Sequence, residues 1–216
     1  MKKLIIFDLD GTLAHTRPLL NHIFADALTE CGFPETAEHV SELIKEQGFR
    51  PTKDGGHVPV AYFDRIPDDF GIYFWSNYEN YHIKAADRIY TGIREVLTEL
   101  KSRGHAIAVL SNKPHRFTYP IITKAFGEGY FDLVLGGTPE LSPKPHARGI
   151  LYICKKLGFK PEDAYMIGDL PADALAASSA GANYVAALWG YSDRKTLAEN
   201  GAVLFAVAPT DILTLI

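Results

Sequence analysis

Cysteine is nearly absent: the 216 residues contain two, Cys31 and Cys154, far apart and without a Cys-x-x-Cys pattern. That excludes a disulfide framework and a cysteine-based zinc site. Both residues fall at apolar-periodic helix positions and are expected in the core. No stretch approaches the roughly eighteen consecutive apolar residues of a membrane span. The first apolar run is too short for a signal peptide and is cut by Asp8, so a cytoplasmic protein is expected. Positive charge is not in excess either, with 22 Lys and Arg against 26 Asp and Glu and a net charge of -4. A global attraction to nucleic acid or to an anionic membrane is thereby excluded, and any phosphate site must be a local cluster of donors. Eight histidines are scattered without metal-ligand spacing, and neither an internal repeat nor a low-complexity tract is present. What remains is a chain with 47% hydrophobic and 22% charged residues, the make-up of an ordinary globular protein of one or two domains.

The chain is organised around its first residues, Leu4-Ile5-Ile6-Phe7-Asp8-Leu9-Asp10-Gly11-Thr12-Leu13. Four apolar residues followed by Asp-x-Asp-Gly predict a strand buried on both faces and then a tight turn, as in a doubly wound parallel sheet. Ligands of such sheets bind beyond the carboxyl ends of the strands, where Asp8 and Asp10 would stand. Gly11 permits the turn. Taken alone, Asp-x-Asp is weak evidence, since surface turns are rich in Asp and a solvated turn is the alternative.

Residues 16 to 86 read as a mostly helical unit without clear strands, inserted directly after this first strand. Pro18 opens a helix that carries Leu20, Ile23, Phe24, Ala27 and Cys31 at helical spacing, and a second helix is expected from Thr36 to Gln47. Pro51, Gly55, Gly56, Pro59 and Pro67 break regular structure, with a short extended piece allowed at Val58 to Phe63. The aromatic row from Phe70 to Tyr81 reads as packing. From Tyr90 the chain alternates strands and helices. Thr91 is the expected cap of the helix bearing Ile93, Val96, Leu97 and Leu100. Strands are expected at Ala106 to Leu110, Phe131 to Leu135, Ala164 to Ile167, Tyr184 to Leu188 and Val203 to Phe205. The predicted organisation is a Rossmann-like α/β core, residues 1–15 and 87–216, with a helical cap, residues 16–86.

Three more loops at predicted strand ends carry polar chemistry: Ser111-Asn112, Lys144 between Pro143 and Pro145, and Gly168-Asp169-x-x-x-Asp173. With Phe7-Asp8-Leu9-Asp10-Gly11-Thr12-Leu13 they resemble, in order, the four motifs of the haloacid dehalogenase superfamily, over residues 4 to 181. The resemblance implies Asp8 as nucleophile and Asp10 as the general acid and base that protonates the leaving group and then activates water. It also implies that Ser111 and Asn112, with nearby backbone N–H groups, hold phosphate, and that Lys144 pairs with the nucleophile and the transferring group. A carboxylate approaching a phosphate dianion at about 4 Å meets several kcal/mol of repulsion at an effective dielectric near 20, which a fixed cation offsets. The implied cofactor is Mg²⁺, held by Asp8, the backbone carbonyl of Asp10 and Asp169, with Asp173 acting through water or through Lys144. Asp10 favours phosphoester hydrolysis within the superfamily, whose dehalogenases lack an acid there and whose ATPases carry Thr.

A helical insertion between the first two motifs, followed by Tyr90-Thr91-Gly92-Ile93-Arg94-Glu95-Val96-Leu97, is similar to the phosphoglycolate phosphatase-like branch. Here Thr91 replaces a usual Pro, and His15 replaces a common Asp. The substrate implied is a small phosphorylated metabolite, with phosphoglycolate as one candidate. His15, Arg50 and Lys53 are the candidate specificity residues, the last two on a loop with the Gly55-Gly56 pair. A phosphomutase of the beta-phosphoglucomutase kind and a catalytically silent binding protein are the alternatives. Neither nucleic acid nor membrane is an expected partner, and oligomeric state is not readable from the chain.

Overall fold

The computed structural model describes residues 1–53 and 57–216. Its elements run, in chain order, β1 (Leu4–Phe7), α1 (Arg17–Glu30), α2 (Ala37–Gln47), β2 (Phe49–Pro51), β3 (His57–Pro59), α3 (Phe70–Tyr81) and α4 (Ile93–Ser102). They continue with β4 (Ala106–Pro114), α5 (His115–Phe126), β5 (Leu133–Gly137), α6 (Arg148–Leu157), β6 (Ala164–Gly168) and α7 (Pro171–Ala180). The chain closes with β7 (Asn183–Ala187), α8 (Arg194–Glu199), β8 (Leu204–Ala206) and α9 (Ile212–Leu215). By contacts it forms two units, Met1–His15 with Ala86–Ile216, and the inserted Thr16–Ala85.

The first unit is built on a six-stranded sheet in the order β5-β4-β1-β6-β7-β8, with every neighbouring pair parallel. All four residues of β1 are buried, as its uninterrupted apolar run requires of a central strand covered on both faces. Leu4 and Ile6 join Ala108, Met166, Ile150, Ile153 and Ala177 in one cluster under α6 and α7. Ile5 and Phe7 alternate to the opposite face. The apolar stripe of α4, Ile93, Val96, Leu97 and Leu100, is fully buried and lies outside the first cluster. Because β1 lies between β4 and β6, the chain builds outward through β4 and β5 on one side and then returns to build β6, β7 and β8 on the other. The carboxyl end of β1 is therefore the switch point where a doubly wound sheet opens a crevice.

The inserted unit packs α1 and α3 around aromatic side chains, with Phe24, Phe70, Phe74 and Tyr78 buried. It is not strand-free: β2 and β3 form an antiparallel ribbon pairing Phe49 with Pro59 and Pro51 with His57. A two-stranded ribbon is all edge, so prolines can occupy it on their unpaired sides. The breakers that argued against strands are thus compatible with these.

Four further local expectations need correction. Thr91 caps nothing; Gly92, in the left-handed region at φ 90°, stands at the start of α4. Cys31 is the half-buried residue that ends α1, whereas Cys154 is buried. Strand β4 continues to Pro114, with a break in its pairing to β5 between Leu110 and Pro114. Strand β5 begins two residues later than the apolar run suggests, because Asp132 accepts the Ile107 N–H at 2.8 Å and ties down the approach. No helix among the described residues is long and apolar enough to cross a membrane.

Candidate active site

Asp8 follows the last residue of β1, and its N–H still donates to the Ile167 carbonyl at 2.9 Å, so the sheet itself sets its position. The carboxylate is buried; its Oδ1 accepts from the Leu9 N–H at 2.7 Å and from Lys144 Nζ at 2.9 Å. The Lys144 ammonium also donates to Asp173 Oδ1 at 2.6 Å and to the Leu110 carbonyl at 3.1 Å. Three acceptors account for its three protons. Burial alone would lower the pKa of Lys144, but the charges of Asp173 and Asp8 override it and hold the pKa above the usual lysine value.

Asp169, the first residue after β6, is entirely buried. Thr12 Oγ1 donates to its Oδ1 and the Tyr191 N–H to its Oδ2, each at 2.9 Å. Two glycines leave space for this carboxylate: a Cβ on Gly11, itself at φ 83°, or on Gly190 would overlap Asp169. Thr12 is held in turn, its carbonyl accepting from Trp189 Nε1 at 3.0 Å. The loop Trp189-Gly190-Tyr191 after β7 is thus a fifth contributor to the site, one the sequence reading missed. Its only signal there was a Gly between two aromatics after a short strand.

Asp8, Asp169 and Asp173 are all buried and offer carboxylate oxygens within 4.8 Å of one another. Burial pushes Asp8 up to about 7, with Lys144 opposing and the charges of Asp173 and Asp10 adding to the rise. Burial, then the charges of Asp8 and Asp173, also holds Asp169 well above the usual carboxylate range, against the Tyr191 N–H and the Thr12 hydroxyl. Three buried acids with one ammonium among them form a hard, oxygen-only donor set with surplus negative charge, which fits Mg²⁺. Both oxygens of Asp169 and both of Asp173 already accept, but Asp173 Oδ1 takes the Lys144 ammonium while its Oδ2 accepts from the Leu170 N–H at 3.0 Å, so Asp173 is the one already neutralised by a cation.

Ser111 is buried on β4, and its Oγ accepts from the Lys113 N–H at 3.2 Å. Asn112 is turned elsewhere: its Nδ2 donates to the Lys144 carbonyl at 2.9 Å and its Oδ1 accepts from the Lys144 N–H at 2.8 Å. Both polar atoms of the Asn112 side chain thus fasten the backbone of Lys144. Asp10 sits one turn out from Asp8, and Lys113 Nζ reaches its Oδ1 at 2.6 Å. Lys113 had no place in the sequence reading.

The contacts given above do not involve the remaining candidates, His15, Arg50 and Lys53. His15 is exposed and meets Tyr90, its Nδ1 3.1 Å from the phenol oxygen. Within the inserted unit, the Arg50 guanidinium lies 4.5 Å from the centroid of the Phe63 ring. Lys53 pairs with Asp68 at 3.2 Å, both side chains open to solvent. Gly55 and Gly56, taken as part of that loop, lie outside the described residues.

Residues 5–187 match the model of a family described as haloacid dehalogenase-like hydrolase. The chain is 30% identical over 209 residues to a phosphoglycolate phosphatase of Haemophilus influenzae, covering 92% of this chain and 91% of that protein. Against phosphoglycolate phosphatase 1 of Pseudomonas aeruginosa the identity is 30% over 218 residues, covering 99% and 79%. Among solved structures, that of a predicted phosphoglycolate phosphatase from Haemophilus somnus superposes with a TM-score of 0.82 at 28% identity, covering 99% of this chain and 97% of that one. A Thermotoga maritima protein provisionally assigned as a beta-phosphoglucomutase gives 0.77 at 25% identity, covering 100% and 98%.

Proposed function

The chain belongs to the haloacid dehalogenase-like hydrolases and is a phosphatase of that family, and from this premise we propose that it hydrolyses a small phosphorylated acid, phosphoglycolate being the first to test, through an aspartyl phosphate on Asp8. The observation that carries the reading is the buried Asp8–Lys144 pair at 2.9 Å beside Asp169 and Asp173. Among the described residues, both contacts of the Asp8 carboxylate fall on Oδ1, so Oδ2 is assigned the attack. Its lone pair forms the bond to phosphorus while the bond to the leaving oxygen breaks, and Asp10 gives that oxygen its proton. Asp10 then takes a proton from water as the water oxygen attacks phosphorus. The bond from phosphorus to Oδ2 breaks, which restores the Asp8 carboxylate and frees inorganic phosphate.

Lys144 neutralises part of the charge that gathers during attack. Ser111 is assigned a phosphate oxygen. The Asn112 side chain is assigned to the Lys144 backbone, where both of its polar atoms are engaged, and its backbone N–H is the group left to the phosphate. Asp8, the Asp10 carbonyl and Asp169 would hold Mg²⁺, with Asp173 behind them orienting Lys144. The ion would supply Lewis-acid stabilisation of phosphoryl charge. Arg50, Lys53 and His15 stay as specificity candidates, and a cytoplasmic location remains the proposal for a chain of this composition.

The likeness to a protein assigned as a beta-phosphoglucomutase keeps a second reading open, phosphoryl transfer between positions of a sugar phosphate. A phosphate-release screen over many phosphometabolites, with Mg²⁺ and with excess chelator, decides. Metal-dependent release from a phosphorylated acid is the expected result. Isomerisation of a sugar phosphate without net release would establish the mutase. No turnover of any substrate would leave a binding protein.

A further inference from the structure

Each of the two acids in the first strand-end turn has its own lysine. Lys144 serves Asp8, and Lys113 Nζ lies 2.6 Å from Asp10 Oδ1 with only 6% of its side chain exposed. A solvated lysine that happens to meet an acid would not be held this way. The Lys113 N–H donates to Ser111 Oγ at 3.2 Å, and its carbonyl accepts from the buried Thr118 hydroxyl at 2.9 Å. The break in pairing between Leu110 and Pro114 lets β4 carry these residues past the regular ladder. On the neighbouring strand, a Cβ on Gly136 would come within 2.8 Å of the Lys113 carbonyl oxygen and 2.6 Å of His115 Cα. Hydroxyls and glycine together fix the backbone of Lys113, from which its ammonium reaches the Asp10 carboxylate.

We propose that Lys113 is a positioning residue for Asp10, fixing its Oδ1 so that Oδ2 is presented to the leaving-group oxygen. The inference rests on the phosphatase reading and on Asp10 as proton donor. Its consequence is selective. A leaving group that departs as a basic oxyanion needs a well-placed proton, whereas a weakly basic one does not.

The test compares kcat/KM on phenyl phosphate, whose phenoxide gains from protonation, with 4-nitrophenyl phosphate, whose phenolate leaves readily without it. Lys113→Met is made in the wild-type and Asp10→Asn backgrounds. The expected loss on phenyl phosphate is about ten- to hundred-fold, the worth of one charge-assisted hydrogen bond, with a clearly smaller loss on 4-nitrophenyl phosphate. In the Asp10→Asn background the same substitution should change either substrate by less than about threefold, because two residues that act as a unit are not additive. Lys113→Arg keeps the charge in a differently shaped head and should recover part of the loss on phenyl phosphate. If Lys113→Met melts below the assay temperature, the Arg variant carries the same comparison, with a smaller bias in the same direction. Equal losses on both substrates with a raised KM would make Lys113 a phosphate ligand and overturn the proposal, as would full additivity with Asp10→Asn. Failure of the wild type to hydrolyse either ester with Mg²⁺ would instead strike the phosphatase reading itself.

Discussion

In the first unit, Asp8, Asp169, Asp173 and Lys144 are all buried, and Lys144 ties Asp8 to Asp173. In the inserted unit the Lys53–Asp68 pair lies in open water. An exposed pair contributes about 0 to 1 kcal/mol, so the chain keeps or loses it at little cost. A buried cluster of three acids with one cation is destabilising unless something offsets it, and breaking one pair leaves a charge stranded at about 3 to 5 kcal/mol. Such a cluster persists because it is used. The difference supports placing the proposed chemistry in the first unit.

The comparison breaks most completely at Asp8. Asp8→Asn should abolish turnover while circular dichroism stays that of the wild type, because an amide forms no acyl phosphate and still accepts from the Leu9 N–H through its oxygen. Phosphate trapped on the wild-type enzyme should map to Asp8. Turnover by this variant within tenfold of wild type would remove the covalent mechanism. Asp10→Asn comes next, with a loss of about 10² to 10⁴ in kcat, the usual range for removing a general acid or base. A loss below tenfold would move the proton shuttle elsewhere.

The metal prediction sharpens the contrast without relying on turnover. Mg²⁺ at a hundredfold its Kd should stabilise the protein by about 2.7 kcal/mol, or roughly 5–10 °C in melting temperature for a chain of this length. Asp169→Asn should remove that shift. Gly190→Ala should weaken Mg²⁺ by about ten- to hundred-fold, as disturbing the support of a ligand does, since the new methyl overlaps Asp169. A Mg²⁺ titration of the melting temperature reads both variants, and a wild-type titration curve from Gly190→Ala would show that the loop after β7 does not orient Asp169.

What the sequence made legible follows from which signals are local. The apolar run before Asp8 predicts a buried strand, and alternation puts Ser111 and Asp169 after predicted strands, while Lys144 joined them through the resemblance of its motif. Lys113 sits beside Ser111 and Asn112 and still escaped, because a lysine near a strand end reads as solvated. Its burial depends on the break in β4 and on Gly136 of another strand. Tyr191 and Trp189 escaped for a similar reason, since they reach Asp169 and Thr12 from residues 22 and 177 positions away. The β2–β3 ribbon was hidden by its own prolines, which propensity counts against strands everywhere and edge geometry admits.

The smallest effects should come from the inserted unit, and they separate its two candidate cations. Lys53 already meets Asp68, so Lys53→Ala removes one exposed pair and should change stability by less than about 0.5 kcal/mol. The Arg50 guanidinium rests over the Phe63 ring. A cation–π contact does not take up the N–H donors as a carboxylate partner would, so a guanidinium over a ring can still take a carboxylate. Of the two, Arg50 is therefore the better candidate for reading an acidic group on the leaving moiety. Arg50→Ala should lower kcat/KM for phosphoglycolate by about tenfold, the low end for a charge-assisted hydrogen bond, and leave 4-nitrophenyl phosphate within about twofold. Lys53→Ala should leave the ratio of the two substrates unchanged. A larger shift in that ratio from Lys53→Ala than from Arg50→Ala would reverse the assignment, and equal small effects from both would pass the question to His15, exposed beside Tyr90 in the first unit.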